Sequence, residues 1–307
     1  MTKIAIDIGY GHTKVKTDEK EFKFPTAVKV LKTQMIENND YYLFEGKKYS
    51  VGEDALRGAI STRDYSFIYR YAPIIIHHAL ELLEIDPKEK VQISTGLSLY
   101  DMEKAAEFDN ASANRKEEFK KRLSKFTIND VVYEYDIRLF AQGQGSWFNF
   151  SQEHGFIDNG SEIIVDIGYR TNDILVYTNG KASKAESIAD DKGVNVIVSE
   201  LKTVINKKYD IELSEQEVNE ILKTKKITIY GVDKPLDDAI QDIVESYIDD
   251  IYSKLKANLG NVLKSARRVL FTGGGSAIIK EFLDSYPQNV LFDDSIEFGN
   301  VRGYYNG

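Results

Sequence analysis

The sequence predicts an α/β fold that consists of two similar domains. One observation is an internal repeat, in which Ile4–Tyr10 matches Ile163–Tyr169 at five of seven positions. The other is an alternation of β-branched, strand-like runs with amphipathic helical stretches along the rest of the chain. The length of 307 residues fits two domains, at about 150 residues for each.

Each copy of the repeat predicts a β-hairpin with an aspartate and a glycine at its bend. In the first half, Val91–Leu97 is predicted as a strand that ends at a glycine turn, and residues 114–126 as an amphipathic helix. The alternation of apolar and polar residues over 133–139 predicts one half-buried strand. Residues 24–60 are rich in strand and turn signals, which predicts a small insertion on the first domain.

In the second half, residues 194–205 are predicted as a helix, and Ser214–Glu217 as the capping box of another. The spacing of apolar residues in Asp237–Leu263 predicts a long amphipathic helix. A strand over Val269–Phe271 is expected to lead through a glycine run into a helix that begins near Ala277.

Charge and composition exclude several classes of function. The chain has 40 basic and 49 acidic residues, a net charge of −9, which argues against direct binding to nucleic acid or to an anionic membrane. It has no cysteine, which excludes disulfides and thiolate chemistry, and its four histidines follow no metal-ligand spacing. The sequence contains no signal-peptide or membrane-helix pattern, so we expect a cytoplasmic protein.

Three glycine-bearing turns follow apolar strands, at residues 7–14, 166–173 and 272–276. Glycine lets the backbone approach a phosphate closely, and turns gather the N–H donors that bind it. Asp7 and Asp166 end the first strand of each hairpin, where two carboxylates could hold a hydrated Mg²⁺ against a polyphosphate. One such turn alone is also compatible with plain turn chemistry. The duplicated hairpin, followed by the third turn, indicates a nucleotide site.

The order of these turns resembles that of the actin, sugar-kinase and heat-shock-chaperone ATPase superfamily. Within it, the chain most resembles the bacterial actin-like proteins of the ParM type, which segregate plasmids. Asp7–Lys14 and Asp166–Asp173 correspond to the two phosphate loops, and Val269–Ser276 to the adenosine motif. Gln142–Gly145 is similar to the family's first connecting segment, and Phe298–Gly303 to its C-terminal segment.

The chain departs from the family pattern at two places. Ala141 stands where the connecting segment commonly has proline, and Gly299 replaces the alanine of the C-terminal segment. The resemblance covers nearly the whole chain and implies the actin-like ATPase fold, in which two duplicated ribonuclease-H-like domains surround a nucleotide cleft. It implies a domain I over residues 1–157 plus about 290–307, and a domain II over residues 158–289.

The resemblance also implies the site residues and the cofactors, which are ATP, with GTP as the alternative, and Mg²⁺. Asp7 and Asp166 would position Mg²⁺ through water, and Gln142 would orient the water that attacks the γ-phosphate. Further nucleotide contacts are implied for Gly9, Tyr10, Gly11, His12, Thr13, Lys14, Gly168, Tyr169, Arg170, Lys192, Gly193, Gly273, Gly274, Gly275 and Ser276.

Several of these residues also have a structural interpretation. Gln142 could instead cap a helix start, and Lys14 could be a solvated strand residue. Arg170 could contact phosphate or lie on the surface. Lys192 and Gly193 could be an ordinary solvated helix start. Tyr10 and Tyr169 suit packing better than base stacking.

The function that the resemblance implies is a cytomotive filament ATPase, which self-associates and moves plasmid DNA through a separate DNA-binding adaptor. One alternative is a small-molecule kinase of the same superfamily, which needs a general base beside the acceptor hydroxyl. No aspartate stands in Gln142–Gly145 to fill that role. Another alternative is a nucleotide-gated chaperone, but only about 30 residues follow the adenosine motif.

Overall fold

The computed structural model of the chain describes residues 1–31, 41–62, 66–86, 89–100, 115–283 and 285–307. The chain divides into two compact units. Unit 1 comprises Met1–Gly155 and Glu297–Gly307, and unit 2 comprises Phe156–Ile296. A search of the described helices for one that is long and apolar enough to cross a membrane finds none.

Strands and helices both occur throughout the described part of the chain, as the sequence predicts, but some successive helices are separated by runs of two or more strands rather than by single ones. The strands are β1 (Thr2–Ile8), β2 (His12–Lys16), β3 (Glu21–Pro25), β4 (Val28–Val30), β5 (Tyr42–Phe44), β6 (Lys47–Val51), β7 (Val91–Leu97), β8 (Lys125–Ile128), β9 (Val131–Glu134), β10 (Asp136–Ala141), β11 (Ser161–Ile167), β12 (Asn172–Thr178), β13 (Lys181–Ala182), β14 (Ile188–Asp190), β15 (Lys226–Ile229), β16 (Val232–Pro235), β17 (Arg268–Thr272) and β18 (Val290–Phe292). The helices are α1 (Ser66–Leu82), α2 (Arg115–Ser124), α3 (Gln144–His154), α4 (Asn195–Tyr209), α5 (Glu215–Thr224), α6 (Asp237–Ser265), α7 (Gly274–Phe282) and α8 (Gly299–Asn306).

The central sheet of unit 1 has the strand order β10-β7-β1-β2-β3. Strands β10, β7 and β1 are parallel, whereas β1, β2 and β3 follow one another as antiparallel neighbours. Gly96 was predicted as a turn but lies inside β7. A Cβ at this position would stand 2.0 Å from the hydroxyl oxygen of Tyr304, which is fully buried in α8. The glycine therefore makes room for α8 on the sheet.

The single strand predicted over residues 133–139 is two strands in different sheets. β9 pairs with β8 in a two-stranded sheet, and β10 joins the central sheet. The break falls at Tyr135, whose N–H donates to the carbonyl of Ser124 at 3.0 Å. The helix predicted over 114–126 ends at Ser124, because Phe126 already belongs to β8. Residue 114 lies outside the described residues.

The predicted insertion near residues 24–60 contains a separate three-stranded sheet in the order β4-β6-β5. Its predicted turn at Glu45–Gly46 is confirmed, with φ angles of 47° and 74°. The second turn signal, at residues 38–40, lies outside the described residues.

The sheet of unit 2 has the order β13-β12-β11-β17-β18, and β14 also pairs with β12. An apolar core lies between this sheet and helices α4 and α6, as shown by buried Ile163, Val198 and Val244. The chain returns to unit 1 at Glu297 rather than near residue 290, because β18 pairs with β17 in parallel.

The helices of unit 2 agree with the sequence except at their ends. The capping box is confirmed, since the side chain of Ser214 accepts from the N–H of Glu217 while the carboxylate of Glu217 accepts from Ser214. The long helix α6 contains one non-helical residue, Gly260. Helix α7 begins at Gly274 and not near Ala277, so the glycine run forms its first turn.

Candidate functional site

The β1–β2 hairpin of unit 1 holds an ion pair near its bend, between a buried aspartate and a half-buried lysine. The N–H of Gly9 donates to the carbonyl of His12 at 3.2 Å, which closes the turn. Asp7 stands opposite Lys14 in the strand register, and the Lys14 Nζ lies 3.6 Å from the Asp7 Oδ2. The other oxygen, Oδ1, is buried without a hydrogen-bond partner among the described residues. A buried carboxylate oxygen of this kind is suited to accept from a bound water or ligand group.

The loop of this hairpin is fixed from the side. The Thr13 and Thr26 hydroxyl oxygens are 2.8 Å apart, and the N–H of Thr26 donates to the carbonyl of Gly11 at 3.0 Å. The side chain of Thr13 therefore holds the loop in place. Gly11 and His12 are exposed, whereas Tyr10 is buried, which fits the packing role expected for this tyrosine.

The surroundings of the first hairpin are positively charged. Burial by itself raises the pKa of the Glu297 carboxyl. A hydrogen bond from Lys23 and the positive charges of Lys14 and His12 lower this pKa by more than burial raises it. The net result is a pKa below the usual range for glutamate. The same positive potential favours a phosphate group at this bend.

Gln142 follows β10 at the edge of the sheet where Asp7 ends β1. Both strands run parallel to β7, which lies between them, so their carboxyl ends meet at one edge. Two strand spacings place the two backbones about 10 Å apart. Gln142 is half-buried, and its N–H donates to the carbonyl of Leu97 at 3.0 Å. The topology thus brings together two residues that the sequence separates by more than a hundred positions.

The cap of helix α3 comes from a residue that the sequence reasoning missed. The side-chain oxygen of Asn300 accepts from the N–H of Gly143 at 2.9 Å and from the N–H of Ser146 at 3.2 Å. Gln142 does not fill this capping role. The only sequence signal was the similarity of Phe298–Gly303 to the family's C-terminal segment. That similarity does not indicate which groups the asparagine side chain contacts.

Two glycines allow α8 to bring Asn300 to this position. A Cβ on Gly303 would lie 1.8 Å from the carbonyl oxygen of Gly145, and a Cβ on Gly145 would lie 2.3 Å from the carbonyl oxygen of Asn300. Any larger residue would push α8 away from α3. The backbone around Gln142 therefore depends on this close helix contact.

The β11–β12 hairpin of unit 2 repeats the bend of the first hairpin with a different charge. The N–H of Gly168 donates to the carbonyl of Thr171 at 2.9 Å, the counterpart of the bond that closes the first bend. Asp166 stands opposite Asp173 in the register, and both carboxylates are buried. Directly opposed residues have their Cβ atoms about 5 Å apart. This hairpin therefore presents two acids where the first presents an acid and a lysine.

Asp173 was not among the predicted site residues, although it is the last aspartate of the second loop motif. The hairpin pattern was the available signal. Counting back equally along both strands from the bend places Asp173 directly opposite Asp166. Two nearby carboxylates favour a cation between or beside them.

The segment before α4 docks on this hairpin. The N–H groups of Gly193, Val194 and Asn195 donate to the carbonyls of residues 170, 168 and 169, at 3.0, 3.1 and 2.8 Å respectively. A Cβ on Gly193 would lie 2.6 Å from the carbonyl oxygen of Gly168. The helix opens at Asn195 and not at Lys192–Gly193 as predicted, because these two residues belong to the docking segment.

Two further residues of the second hairpin have structural partners. The Tyr169 hydroxyl donates to the carboxylate of Glu215 at 3.1 Å and packs against the apolar core. Arg170 is buried, which excludes the surface position considered above. The carbonyl of Lys192, whose side chain is exposed, accepts from the hydroxyl of Tyr247 at 2.7 Å.

In the glycine run after β17, every glycine except one is needed because neighbouring atoms leave no room for a side chain. Gly273 has a φ of 80°, and its Cβ would meet the Asp166 Oδ1 at 2.3 Å. Gly275 leaves room for Ile167, and the buried Ser276 hydroxyl donates to the carbonyl of Gly273 at 2.7 Å. Around Gly274, no heavy atom in the described part of the chain lies within 4 Å of a Cβ position, apart from its two neighbours and the backbone of its own helix. Gly274 is therefore the glycine that is open to a ligand.

These residues fit a nucleotide with a water-coordinated metal. The described residues contain no group of three or more acidic or histidine side chains that could hold a metal directly. In unit 2 the Asp166–Asp173 pair is suited to bind metal-coordinated water, because Mg²⁺ prefers oxygen ligands and usually keeps several waters. In unit 1 the unpartnered Oδ1 of Asp7 is by itself suited to the same kind of contact. When bound, Mg²⁺ supplies positive charge that neutralises the phosphate oxygens.

Two family models match consecutive parts of the sequence. The model described as actin-like proteins, N-terminal domain, matches residues 5–145. The model described as archaeal actin homologue MreB-like, C-terminal, matches residues 164–285. Together they cover most of the chain. A search of curated proteins finds no match.

Solved structures of similar fold match nearly the whole chain. The archaeal actin homologue Ta0583 is 21% identical, with coverage of 100% of this chain and 98% of that chain and a TM-score of 0.79. Its complex with ADP is 19% identical, with the same coverage and a TM-score of 0.73. A 15-stranded ParM filament from Clostridium botulinum is 21% identical, with coverage of 99% and 98% and a TM-score of 0.74. The predicted actin-like α/β fold is confirmed: the first part of the chain matches the model of the actin-like proteins, and the second part matches that of the archaeal MreB-like actin homologues.

Proposed function

We propose that this chain is an ATPase that forms filaments when it binds nucleotide. The observation that supports this most strongly is the duplicated hairpin, closed by Gly9 N–H to His12 in unit 1 and by Gly168 N–H to Thr171 in unit 2. The fold is shared with an archaeal actin homologue that was solved with ADP and with a ParM that was solved as a filament.

Each hairpin would bind phosphate with its own chemistry. In unit 1 the loop N–H groups and Lys14 would donate to phosphate oxygens, while the Asp7 carboxylate keeps the lysine in position. In unit 2 the Asp166–Asp173 pair would accept from metal-bound water. Gly274, which is open on its ligand-facing side, would let the nucleoside approach the start of α7.

Gln142 would orient the attacking water. A neutral amide can accept from a water and donate to a phosphate oxygen without removing a proton, and positioning is the main requirement in phosphoryl transfer. The Asn300 cap and the glycine contact between α3 and α8 hold the backbone next to Gln142. These contacts would keep the amide in a fixed place during hydrolysis.

We further propose that the filament segregates plasmid DNA through a separate adaptor. The net charge of −9 disfavours direct DNA binding, so a basic adaptor would have to join the filament to its cargo.

Sedimentation and phosphate release test this function. The protein is incubated with ATP–Mg²⁺, ADP–Mg²⁺ or GTP–Mg²⁺, pelleted, and assayed for free phosphate. Pelleting that depends on a nucleoside triphosphate, together with phosphate release, would support the proposal. Asp166→Asn should lose phosphate release, while the matched variant Asp158→Asn, at an exposed position, should keep it. A protein that transfers phosphate to a small acceptor and never pellets would instead be the kinase of the alternative.

A further inference from the structure

The β15–β16 hairpin projects from unit 2 as a two-stranded sheet. No other strand in the described part of the chain pairs with either of its strands. Its base is anchored, because Ile227 is buried in the apolar core and the N–H of Leu236 donates to the carbonyl of Lys225 at 2.9 Å. Every residue of β16 is exposed. The hairpin is therefore fixed at its base and free along its outer strand and tip.

The tip carries a tyrosine that does not suit the turn. Tyr230 and Gly231 both have positive φ angles, 49° and 78°, in a two-residue loop. Such loops prefer asparagine or aspartate before glycine, because a bulky side chain is strained in the left-handed conformation. The β8–β9 hairpin also has two positive φ angles in its loop, 51° and 61°, and it uses Asn129–Asp130 there. Tyr230 therefore does not serve the turn.

Tyr230 also does not stabilise the folded chain by packing. Its side chain is as exposed as in an extended peptide, with a relative accessibility of 102%. Next to the turn, Val232 is 53% exposed. An aromatic and a β-branched side chain on a projecting tip form an apolar surface, and tyrosine is among the residues that contribute most energy at protein interfaces.

One ion pair and one hydrogen bond join the two strands of the hairpin, and one positive charge remains unpaired within the described ranges. Asp233 accepts from the Lys226 ammonium at 2.5 Å and from the Thr228 hydroxyl at 2.7 Å, across the two strands. These bonds lower the pKa of Asp233, so its carboxylate stays charged near neutral pH. Lys234, in contrast, has no ion pair within the described ranges. A rigid hairpin loses little conformational entropy when it binds.

We propose that the tip of this hairpin, formed by Tyr230, Val232 and Lys234, docks on a second copy of the chain. The inference rests on the proposed filament function. It is favoured by charge, because the hairpin has a free lysine while the whole chain has a net charge of −9. An acidic face is present on the outer side of α6, where the described structure shows no ion pairs for four exposed acids. These acids are Asp238, Asp242, Glu245 and Asp249.

The first test replaces the tip tyrosine by asparagine. Tyr230→Asn gives the turn its preferred residue, so the hairpin should fold at least as well as before. The same change removes the aromatic contact, and we expect the critical concentration for pelleting with ATP–Mg²⁺ to rise about tenfold. Val132→Asn, at an exposed apolar position of the β8–β9 hairpin, is the control and should pellet like the wild type. Unchanged pelleting of Tyr230→Asn would overturn the proposal.

A second test separates this proposal from the proposed function. The chain has no cysteine, so Tyr230→Cys introduces a single thiol. Its rate of reaction with a maleimide is measured at rising protein concentration, with and without ATP–Mg²⁺, beside Val132→Cys as the reference. Slower labelling at position 230 alone supports docking on a second copy, even if the wild type fails to form nucleotide-dependent polymer and the filament function is lost. Equal labelling of the two thiols at every concentration refutes the docking surface.

Discussion

Replacing Gly193 by alanine tests whether the second hairpin is held by the segment that precedes α4. An alanine Cβ would lie 2.6 Å from the carbonyl oxygen of Gly168 and 2.7 Å from the carbonyl carbons of Tyr169 and Arg170. All three are backbone atoms. The overlap can therefore be relieved only if the hairpin loop moves away.

The movement breaks or weakens three hydrogen bonds between residues 193–195 and residues 168–170. Each such bond contributes about 1 kcal/mol net, so the loss comes to about 3 kcal/mol. This free energy corresponds to a factor of about 150 in the local opening equilibrium. Because the loop carries the predicted phosphate donors, nucleotide affinity should fall as well.

Hydrogen exchange followed by mass spectrometry measures this opening directly. Peptides that cover residues 190–200 and 166–173 should exchange about 150-fold faster in Gly193→Ala than in the wild type. Gly274→Ala is the matched control, because the new methyl group meets no described atom beyond its chain neighbours and the backbone of its own helix. If Gly193→Ala exchanges like the wild type, the docking segment does not hold the hairpin and the reasoning fails.

Three further predictions follow from the site and from the helix that supports it. Gly274→Ala should leave the unfolding free energy unchanged or raise it by about 0.5 kcal/mol, since alanine favours a helix, but it should weaken binding of a fluorescent ATP analogue. Gln142→Ala should slow phosphate release about a hundredfold, because the attacking water loses its positioning group, and it should leave the Kd for ATP unchanged. Arg302→Ala should lower the unfolding free energy by about 1 kcal/mol at pH 7, because Arg302 donates two hydrogen bonds to Glu21. The hydrogen bonds and charge of Arg302 hold the pKa of Glu21 below its ordinary value. This stability is present above the ordinary pKa and is lost as the pH falls through the lowered one.

Each of these predictions has an outcome that contradicts it. Unchanged nucleotide affinity in Gly274→Ala would mean that this glycine does not face the ligand. Loss of ATP binding in Gln142→Ala would contradict its assignment to water. If urea titrations show that the Arg302→Ala deficit does not shrink as the pH is lowered below the ordinary pKa of glutamate, then the pair with Glu21 is not its cause.

The hairpins could be predicted because their signals are local. Asp7 and Gly9, like Asp166 and Gly168, lie within a few residues of the strand that they end, and the repeat made the pattern visible. The strand break at Tyr135 could not be predicted, because the alternation of buried and exposed residues continues across it while the chain moves to another sheet.

Sequence patterns also could not predict contacts between residues that are far apart in the chain. Asn300 caps a helix that begins more than 150 residues earlier, and no local signal connects the two. The role of Gly193 could not be predicted for the same reason. Only glycine fits at this position because the backbone of residues 168–170 fills the space that a Cβ would occupy. The sequence predicted a functional glycine at position 193, but it did not predict which backbone atoms this glycine accommodates.

Electron microscopy of the purified protein with nucleotide tests the central claim most directly. Samples are compared with ATP–Mg²⁺, with a non-hydrolysable ATP analogue and without nucleotide. We predict filaments with ATP–Mg²⁺ and with the analogue, and none without nucleotide. A protein that stays monomeric at high concentration with every nucleotide would contradict the proposal that this actin-like chain is a filament-forming ATPase.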